Sequence, residues 1–250
     1  MAPLLVPFLL SLLLTSFSGE RDLTPKADFV LGNKLPDVKV VDEEGRELNL
    51  SEVAGGEVFL LSFIYTRCAS ACPMIVEGIK KALGPAGGVK VVLVDFDERD
   101  TPENLKKFRE ERKIGTDPRW KLVLAKGDSL RSLTRAVDFK FFYDEDTDMF
   151  AHPNVLIVVS PGMKISGYML GVTYDSDKLS ALISKARAGK VALNPIKGVF
   201  LKCFRYDPVT GTYTVDWSFV AMILGGLIPL GAMFYFIFLK DLIAGLRRTA

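Results

Sequence analysis

Apolar runs that suit buried strands alternate with polar, helix-forming segments between residues 24 and 190. The continuous apolar runs at 58–65 and 89–96 predict two strands that are covered on both faces. The other predicted strands are 38–41, 47–50, 120–125, 155–160 and 165–170, and the predicted helices are 73–83, one beginning at 102, 129–137 and 177–188. Buried strands joined by helices predict an α/β domain with a central sheet and helices on both faces.

The two ends of the chain are apolar in a different way. Residues 4–14 form a short apolar stretch followed by small residues, which predicts a secretory signal peptide over residues 1–18. Residues 217–239 form a second stretch, which at ~1.5 Å per residue is long enough to cross a ~30 Å hydrocarbon core. We therefore expect a folded domain over 24–190, a juxtamembrane segment over 191–216 and a transmembrane helix over 217–239.

The charges of the tail over 240–250 set the expected orientation. Lys240, Arg247 and Arg248 outnumber Asp241, so the positive-inside rule predicts a cytoplasmic tail. The sequence thus predicts a single-pass protein of the cell (inner) membrane, with its domain on the periplasmic side. Disulfides form in that compartment.

Composition limits the chemistry that the domain can carry. The formal net charge is +2, which is too small to indicate a nucleic-acid partner. The chain has three cysteines and one histidine, so a site built from thiols and imidazole has few possible members.

Cys68 and Cys72 stand where the first long buried strand passes into its helix, an arrangement typical of the thioredoxin-like fold. Pro73 marks the first helical turn, where free N–H groups and the helix dipole lower thiol pKa values, and Arg67 adds a positive neighbour. On a roughly helical loop, residues at i and i+4 lie about 6 Å apart, within disulfide range. The motif therefore predicts a reactive dithiol.

His152, the single histidine, precedes a predicted strand and is therefore expected at an end of the sheet near the cysteines. Two thiolates and one imidazole suit copper, and thiolates favour the cuprous state. Structural zinc usually takes four ligands, and a fourth Cys or His is not at hand. Two bland alternatives stay open: a plain structural disulfide in an exported domain, and a histidine that serves only packing.

The residues around these positions resemble a known family, the Sco (SenC) proteins of cytochrome c oxidase assembly. The similar segments are 63–73, 94–103, Trp120, and His152 ahead of a strand with its Pro161-Gly162 turn, within a region from about Asn33 to Arg187. The resemblance implies a thioredoxin-like fold that binds copper, Cu(I) or Cu(II), through Cys68, Cys72 and His152. It also implies one partner, the copper A-bearing subunit of cytochrome c oxidase. The part from Cys203 through the apolar span resembles a bacterial subset that is anchored at the C-terminus.

Two functions follow as hypotheses. The first is a copper metallochaperone that helps to assemble the dinuclear copper A site. The second is a thiol–disulfide oxidoreductase in which Cys68 attacks a partner disulfide and Cys72 resolves it, which makes these two residues catalytic. The sequence names neither a copper donor nor a thiol reductant.

Other chemistry-bearing residues receive simpler interpretations. Asp95, Asp97 and Asp100 fail the calcium-loop pattern, and a strand end running into a capped helix accounts for them. Met74 could offer a thioether to copper, but a single Met just inside a helix is more simply expected to pack in the core. Cys203 is left without an assigned role. Trp120 and the aromatic residues at 139–143 are expected to pack in or around the core, and the segment after them to form the most mobile loop.

Overall fold

The computed structural model describes residues 23–68, 71–84, 88–192, 204–207, 212–215 and parts of 221–235. In that part of the chain, no helix combines the length and the apolar composition needed to cross a bilayer. The predicted signal peptide over 1–18, and most of the predicted span over 217–239, lie outside the described residues.

Among the described residues, the predicted strands and helices of the domain are present in the predicted order with small shifts at their ends, and six short elements that were not predicted join them. The strands are β1 (Lys39–Asp42), β2 (Glu47–Asn49), β3 (Phe59–Ile64), β4 (Lys90–Asp95), β5 (Trp120–Leu124), β6 (Phe142–Asp144), β7 (Met149–Ala151), β8 (Val155–Val159), β9 (Ile165–Leu170), β10 (Phe204–Asp207) and β11 (Thr212–Val215). The helices are α1 (Ala27–Val30), α2 (Leu50–Ala54), α3 (Ala71–Leu83), α4 (Pro102–Glu111), α5 (Gly127–Ala136) and α6 (Ser176–Arg187).

Seven strands form one mixed sheet in the order β2-β1-β5-β4-β3-β8-β9. The three central strands β5, β4 and β3 are parallel, with Phe59 opposite Lys90 and Val91 opposite Trp120. The outer strands pair antiparallel, and β8 and β9 form the predicted hairpin. Because parallel neighbours need crossover connections, the helices between β3, β4 and β5 flank the sheet. The predicted α/β architecture is confirmed in this form.

Burial explains why β3 and β4 read as continuous apolar runs. Every residue of β3 is buried, and so are all residues of β4 except Lys90. Helix α3 packs against α6, and Gly78 allows α3 to approach the connection between β9 and α6 closely, because an added Cβ would lie 2.0 Å from the Val172 carbonyl oxygen. The end of β3 is therefore held in the interior, and this end leads to the cysteines.

Helix α4 begins as its sequence predicts. The Thr101 hydroxyl accepts a hydrogen bond from the Asn104 N–H, and Asn104 Oδ1 accepts one from the Thr101 N–H. Pro102 occupies the first turn, where its missing N–H costs nothing. Helix α3 instead begins at Ala71, two residues before Pro73, so Cys72 already lies in the first turn.

The β6–β7 hairpin was not predicted. It pairs Phe142 with Ala151 and Tyr143 with Phe150, and it forms a two-stranded sheet of its own. Its strands have three residues each and enclose a strongly acidic turn, so the sequence pattern favours a loop there. The hairpin matters because His152 follows it directly.

Candidate metal and thiol site

The loop that carries Cys68 is tied to the carboxyl end of the sheet. The Cys68 N–H donates to the Tyr65 carbonyl oxygen at 3.2 Å, which closes a turn after β3. The Thr66 N–H donates to Asp100 Oδ2 at 2.9 Å, which joins this turn to the segment after β4. Parallel strands end at the same edge of a sheet, so the two segments meet there.

The two cysteines face each other across the first turn of α3. The Cys72 N–H donates a hydrogen bond to Cys68 Sγ at 3.3 Å, and the two cysteines are not joined by a disulfide. A backbone N–H aimed at a sulfur stabilises its thiolate form, so this geometry favours Cys68 as the more nucleophilic cysteine. The prediction that the spacing brings the pair together is confirmed.

The two thiols are not equivalent. Burial, followed by hydrogen bonding to Cys68, raises the pKa of the Cys72 thiol well above its ordinary value. The expectation of a lowered pKa for both cysteines is therefore wrong for Cys72, because removal from water outweighs the helix terminus. Exposure does not distinguish the pair, since Cys68 is only 2% exposed and Cys72 is fully buried.

Tyr65 covers the cysteines from the sheet side. Burial, and then its hydrogen bond with Cys68, raises the pKa of the Tyr65 phenol, so the hydroxyl keeps its proton. The Tyr65 ring also meets the Phe96 and Phe150 rings edge to face, at centroid distances of 5.6 and 5.2 Å. Sequence reasoning assigned no role to Tyr65, although its place three residues before Cys68 was visible.

His152 lies at the same end of the sheet, half-buried among aromatic rings. Its ring centroid is 5.7 Å from that of Tyr65 and 5.2 Å from that of Phe96. Its Nδ1 is 3.1 Å from the Pro153 carbonyl oxygen. This contact is a hydrogen bond when Nδ1 carries the proton, and that tautomer leaves the Nε2 lone pair for another ligand.

The three predicted metal ligands share one corner, and Tyr65 contacts both Cys68 and the His152 ring. Within the described residues, however, no three His, Cys, Asp or Glu side chains are grouped closely enough to hold a metal ion. The donor types fit a soft cation such as cuprous copper. The side chains must therefore move if all three are to bind one ion.

The pKa values of two aspartates at the end of β4, Asp95 and Asp97, shift in opposite directions. Burial raises the pKa of the Asp95 carboxyl well above its ordinary value, and the charge of Asp100 adds to the shift. Asp97 is also buried, but hydrogen bonds from Arg99 and Arg67 outweigh the burial and lower its pKa. Burial thus favours the neutral form of the Asp95 carboxyl, whereas the two guanidinium groups favour the carboxylate form of Asp97.

The charge of Arg67 does not act on the thiols as predicted. Its Nη2 donates to Asp97 Oδ2 at 2.6 Å, and its Nη1 lies 3.3 Å from the Asp148 carboxylate. Because two carboxylates neutralise this guanidinium, its effect on the neighbouring cysteines is reduced. The ion pairs instead join the cysteine loop to the segment after β4 and to the β6–β7 hairpin.

The remaining candidate residues fall outside the site. Met74 is 51% exposed, so the prediction that it packs in the core is wrong. Trp120 is 6% exposed and packs in the core as expected. Cys203 lies outside the described residues.

A comparison with protein families identifies a match over most of the folded domain. The sequence profile described as SCO1/SenC matches residues 33–187, which is more than half of the chain. The chain belongs to the SCO1/SenC family. This match spans both cysteines of the pair and His152, and a search of curated proteins finds no match.

Solved structures agree with the fold of this SCO1/SenC chain. A proposed electron transfer protein from Aquifex aeolicus is 37% identical, covers 64% of this chain and 95% of its own, and has a TM-score of 0.58. A proposed electron transport protein from the same organism is 35% identical, covers 63% and 99%, and has a TM-score of 0.54. Arabidopsis thaliana ScoI with copper bound is 21% identical, covers 63% and 99%, and has a TM-score of 0.50.

Proposed function

We propose that this chain is a copper metallochaperone, in which Cys68, Cys72 and His152 bind copper as cargo. The observation that carries the proposal is the thiol pair, with the Cys72 N–H on Cys68 Sγ, beside the single histidine of the chain. Membership of the SCO1/SenC family supports the same assignment. Two sulfurs and one imidazole nitrogen form a low-coordinate set of the kind that cuprous copper accepts.

The proposed recipient is the copper A-bearing subunit of cytochrome c oxidase. In this role the chain passes copper by ligand exchange from its thiolates to those of the recipient. The low exposure of the two cysteines supports transfer to a partner protein. Because Cys68 is 2% exposed and Cys72 is 0% exposed, their sulfurs offer little surface to free solutes.

Copper titration of the reduced full chain tests the metal role. We expect about one copper per chain, a stoichiometry that three protein ligands imply, and its loss in Cys68→Ala and in His152→Ala. Cys203→Ala is the matched control and should bind as the parent does. Copper binding that survives both ligand substitutions would contradict the proposal.

A thiol–disulfide oxidoreductase is the second candidate, and the hydrogen bond from the Cys72 N–H to Cys68 Sγ favours it. In this reaction the Cys68 thiolate attacks a partner disulfide, forms a mixed disulfide and releases one partner thiolate. Cys72, after losing its proton, attacks Cys68 Sγ and releases the second partner thiolate. Two electrons pass to the partner, and Cys68 and Cys72 end as a disulfide.

The two candidates separate at His152, which thiol exchange does not require. Under the chaperone role, His152→Ala abolishes oxidase assembly in cells while disulfide reduction in vitro is unchanged. Under the reductase role, His152→Ala assembles active oxidase while Cys72→Ala does not. Measuring oxidase activity and in vitro reduction for the same two variants decides between them.

We further propose that the domain is held at the periplasmic face of the inner membrane by a span over 217–239, after removal of residues 1–18. The apolar composition of both segments supports this topology. A chain that ends at residue 216 should leave the membrane fraction on alkaline extraction while the full chain stays. Retention of the shortened chain would place the anchor elsewhere.

A further inference from the structure

The β6–β7 hairpin contacts the rest of the domain through Phe150 and Asp148. Its two short strands pair only with each other, outside the seven-stranded sheet. Phe150 packs on Tyr65 and Phe96, at centroid distances of 5.2 Å in both cases. Another attachment is an ion-pair cluster at the turn, formed by Asp148 with Arg67 and Arg99.

The buried Asp97 carboxylate forms ion pairs with both Arg67 and Arg99. Its side chain is 1% exposed, and its oxygens lie 2.6 Å from Arg67 Nη2 and 2.8 Å from Arg99 Nε. Two guanidinium groups on one carboxylate leave an excess positive charge and repel each other. A second carboxylate in the cluster is therefore electrostatically favourable.

Asp148 supplies that carboxylate from the hairpin. It lies 3.3 Å from Arg67 Nη1 and 3.3 Å from Arg99 Nη1, and it accepts a hydrogen bond from the Tyr143 hydroxyl at 2.5 Å. Arg99 also stacks over the Tyr143 ring, at 4.5 Å from its centroid. With Asp148 in place the four charged groups balance.

The ion pairs of Asp148 with Arg67 and Arg99 are exposed and therefore weak. The Asp148 side chain is 64% exposed, and those of Arg67 and Arg99 are 39% and 44% exposed. Exposed ion pairs are weak and are screened by salt. Asp97 keeps both arginines in position whether or not the hairpin is docked.

The docked hairpin coincides with the arrangement in which His152 and the cysteines do not form a three-ligand group. His152 comes immediately after β7, with its Nδ1 toward the Pro153 carbonyl and its ring on Tyr65 and Phe96. Phe150 covers Tyr65, and Tyr65 is hydrogen-bonded to Cys68. Movement of the hairpin thus affects His152 and the cover over Cys68 together.

We infer that Asp148 is a positioning residue: its ion pairs with Arg67 and Arg99 latch the β6–β7 hairpin over the cysteine loop, and release of this latch lets His152 reach the sulfurs. The inference rests on the proposed metal role of His152. The hairpin is then the moving part of the metal site, and the cysteine loop is the fixed part.

The test compares Asp148→Asn with Asp146→Asn in the reduced, metal-free full chain. Both substitutions remove one negative charge from the same turn, but the Asp148 carboxylate bridges the two arginines. Asp146 instead takes part in the turn through its backbone N–H, which donates to Asp144 Oδ1 at 3.1 Å. Asn tolerates the left-handed backbone at Asp148, where φ is 50°. Iodoacetamide labelling of Cys68, read by peptide mass so that Cys203 is counted separately, reports the cover over the sulfur.

We expect Asp148→Asn to speed Cys68 labelling about two- to fivefold, the range that one exposed ion pair supplies. Asp146→Asn and the charge-keeping Asp148→Glu should label close to the parent rate. The imidazole NMR signal of the only histidine should shift or broaden in Asp148→Asn alone. Equal labelling and unchanged histidine signals in all four proteins would overturn the latch.

Salt provides a second measurement. Raising the salt from about 50 to about 500 mM shortens the Debye length and should speed Cys68 labelling in the parent but not in Asp148→Asn. Copper association, followed separately, should be faster in Asp148→Asn. If Cys68 labelling responds to Asp148→Asn and to salt but the parent chain does not bind copper, the proposed function is contradicted. If copper binding is normal but labelling responds to neither Asp148→Asn nor salt, the latch is contradicted.

Discussion

Two regions of the molecule are held by different forces. One is the frame, formed by β3 and α3, which carries the cysteines, and the other is the β6–β7 hairpin, which precedes His152. The frame rests on burial: β3 is buried at every position, and Cys72 is fully buried at the start of α3. The hairpin rests on edge-to-face aromatic contacts and on ion pairs that are more than one-third exposed. A site assembled from both regions combines a fixed pair of sulfurs with an imidazole on a segment whose movement costs little free energy.

Deleting one phenylalanine ring in each region gives the largest contrast. Phe63 is 1% exposed and stacks on Phe139 at 4.2 Å, so Phe63→Ala should lower the free energy of unfolding by about 3–5 kcal/mol. Phe150 is only half-buried, and Phe150→Ala should cost much less globally while it speeds thiol labelling at Cys68. Urea unfolding of both variants measures the difference, and equal losses would remove the distinction between frame and hairpin.

Gly78 tests the rigidity of the frame at the helix that follows the cysteines. In Gly78→Ala the new methyl group meets the Val172 carbonyl oxygen, so α3 must shift, at a cost of about 1–3 kcal/mol. Gly88→Ala is the control, because an added Cβ there meets nothing within 4 Å. Thermal unfolding of the pair should separate them clearly, and a Gly78→Ala protein as stable as Gly88→Ala would mean that α3 is loosely held.

Asp95 and Asp97 extend the comparison to pH. The pKa of Asp95 is raised by burial, so its neutral form adds stability below about pH 4, the unfolded value, and this stability is lost as the pH rises through the folded pKa. Asp95→Asn stays neutral, and it should therefore gain on the parent as the pH rises. A stability difference that stays constant with pH would argue that Asp95 is charged in the folded protein.

The pKa of Asp97 is lowered despite burial, through its arginine partners, so its contribution is present above about pH 4 and is lost as the pH falls through its folded pKa. Asp97→Asn should be less stable than the parent at neutral pH and should approach it in acid. Urea unfolding at several pH values gives both profiles. Parallel profiles for Asp95→Asn and Asp97→Asn would show that the two carboxyls share one electrostatic environment.

Much of the frame was predictable because local rules decide it. The apolar runs that became β3 and β4, the turn at Pro161-Gly162 and the Thr101 cap each depend on residues close in sequence. The hairpin was missed because its strands are short and because the packing of its aromatic residues depends on distant partners, as that of Phe150 depends on Tyr65 and Phe96. The burial of Cys72, which reversed the expected pKa shift, likewise arises from packing across the chain.

The sequence by itself determined the α/β architecture, the pairing of Cys68 with Cys72, and the candidate donors, since a chain with one histidine offers a single imidazole. Only the tertiary structure decided in which direction the pKa of each buried carboxyl moves, which carboxylates pair with Arg67, and which aromatic rings surround His152. The physical reason is that periodicity and capping act over a few residues. Desolvation, ion pairing and ring contacts depend on groups that folding brings together from distant parts of the chain.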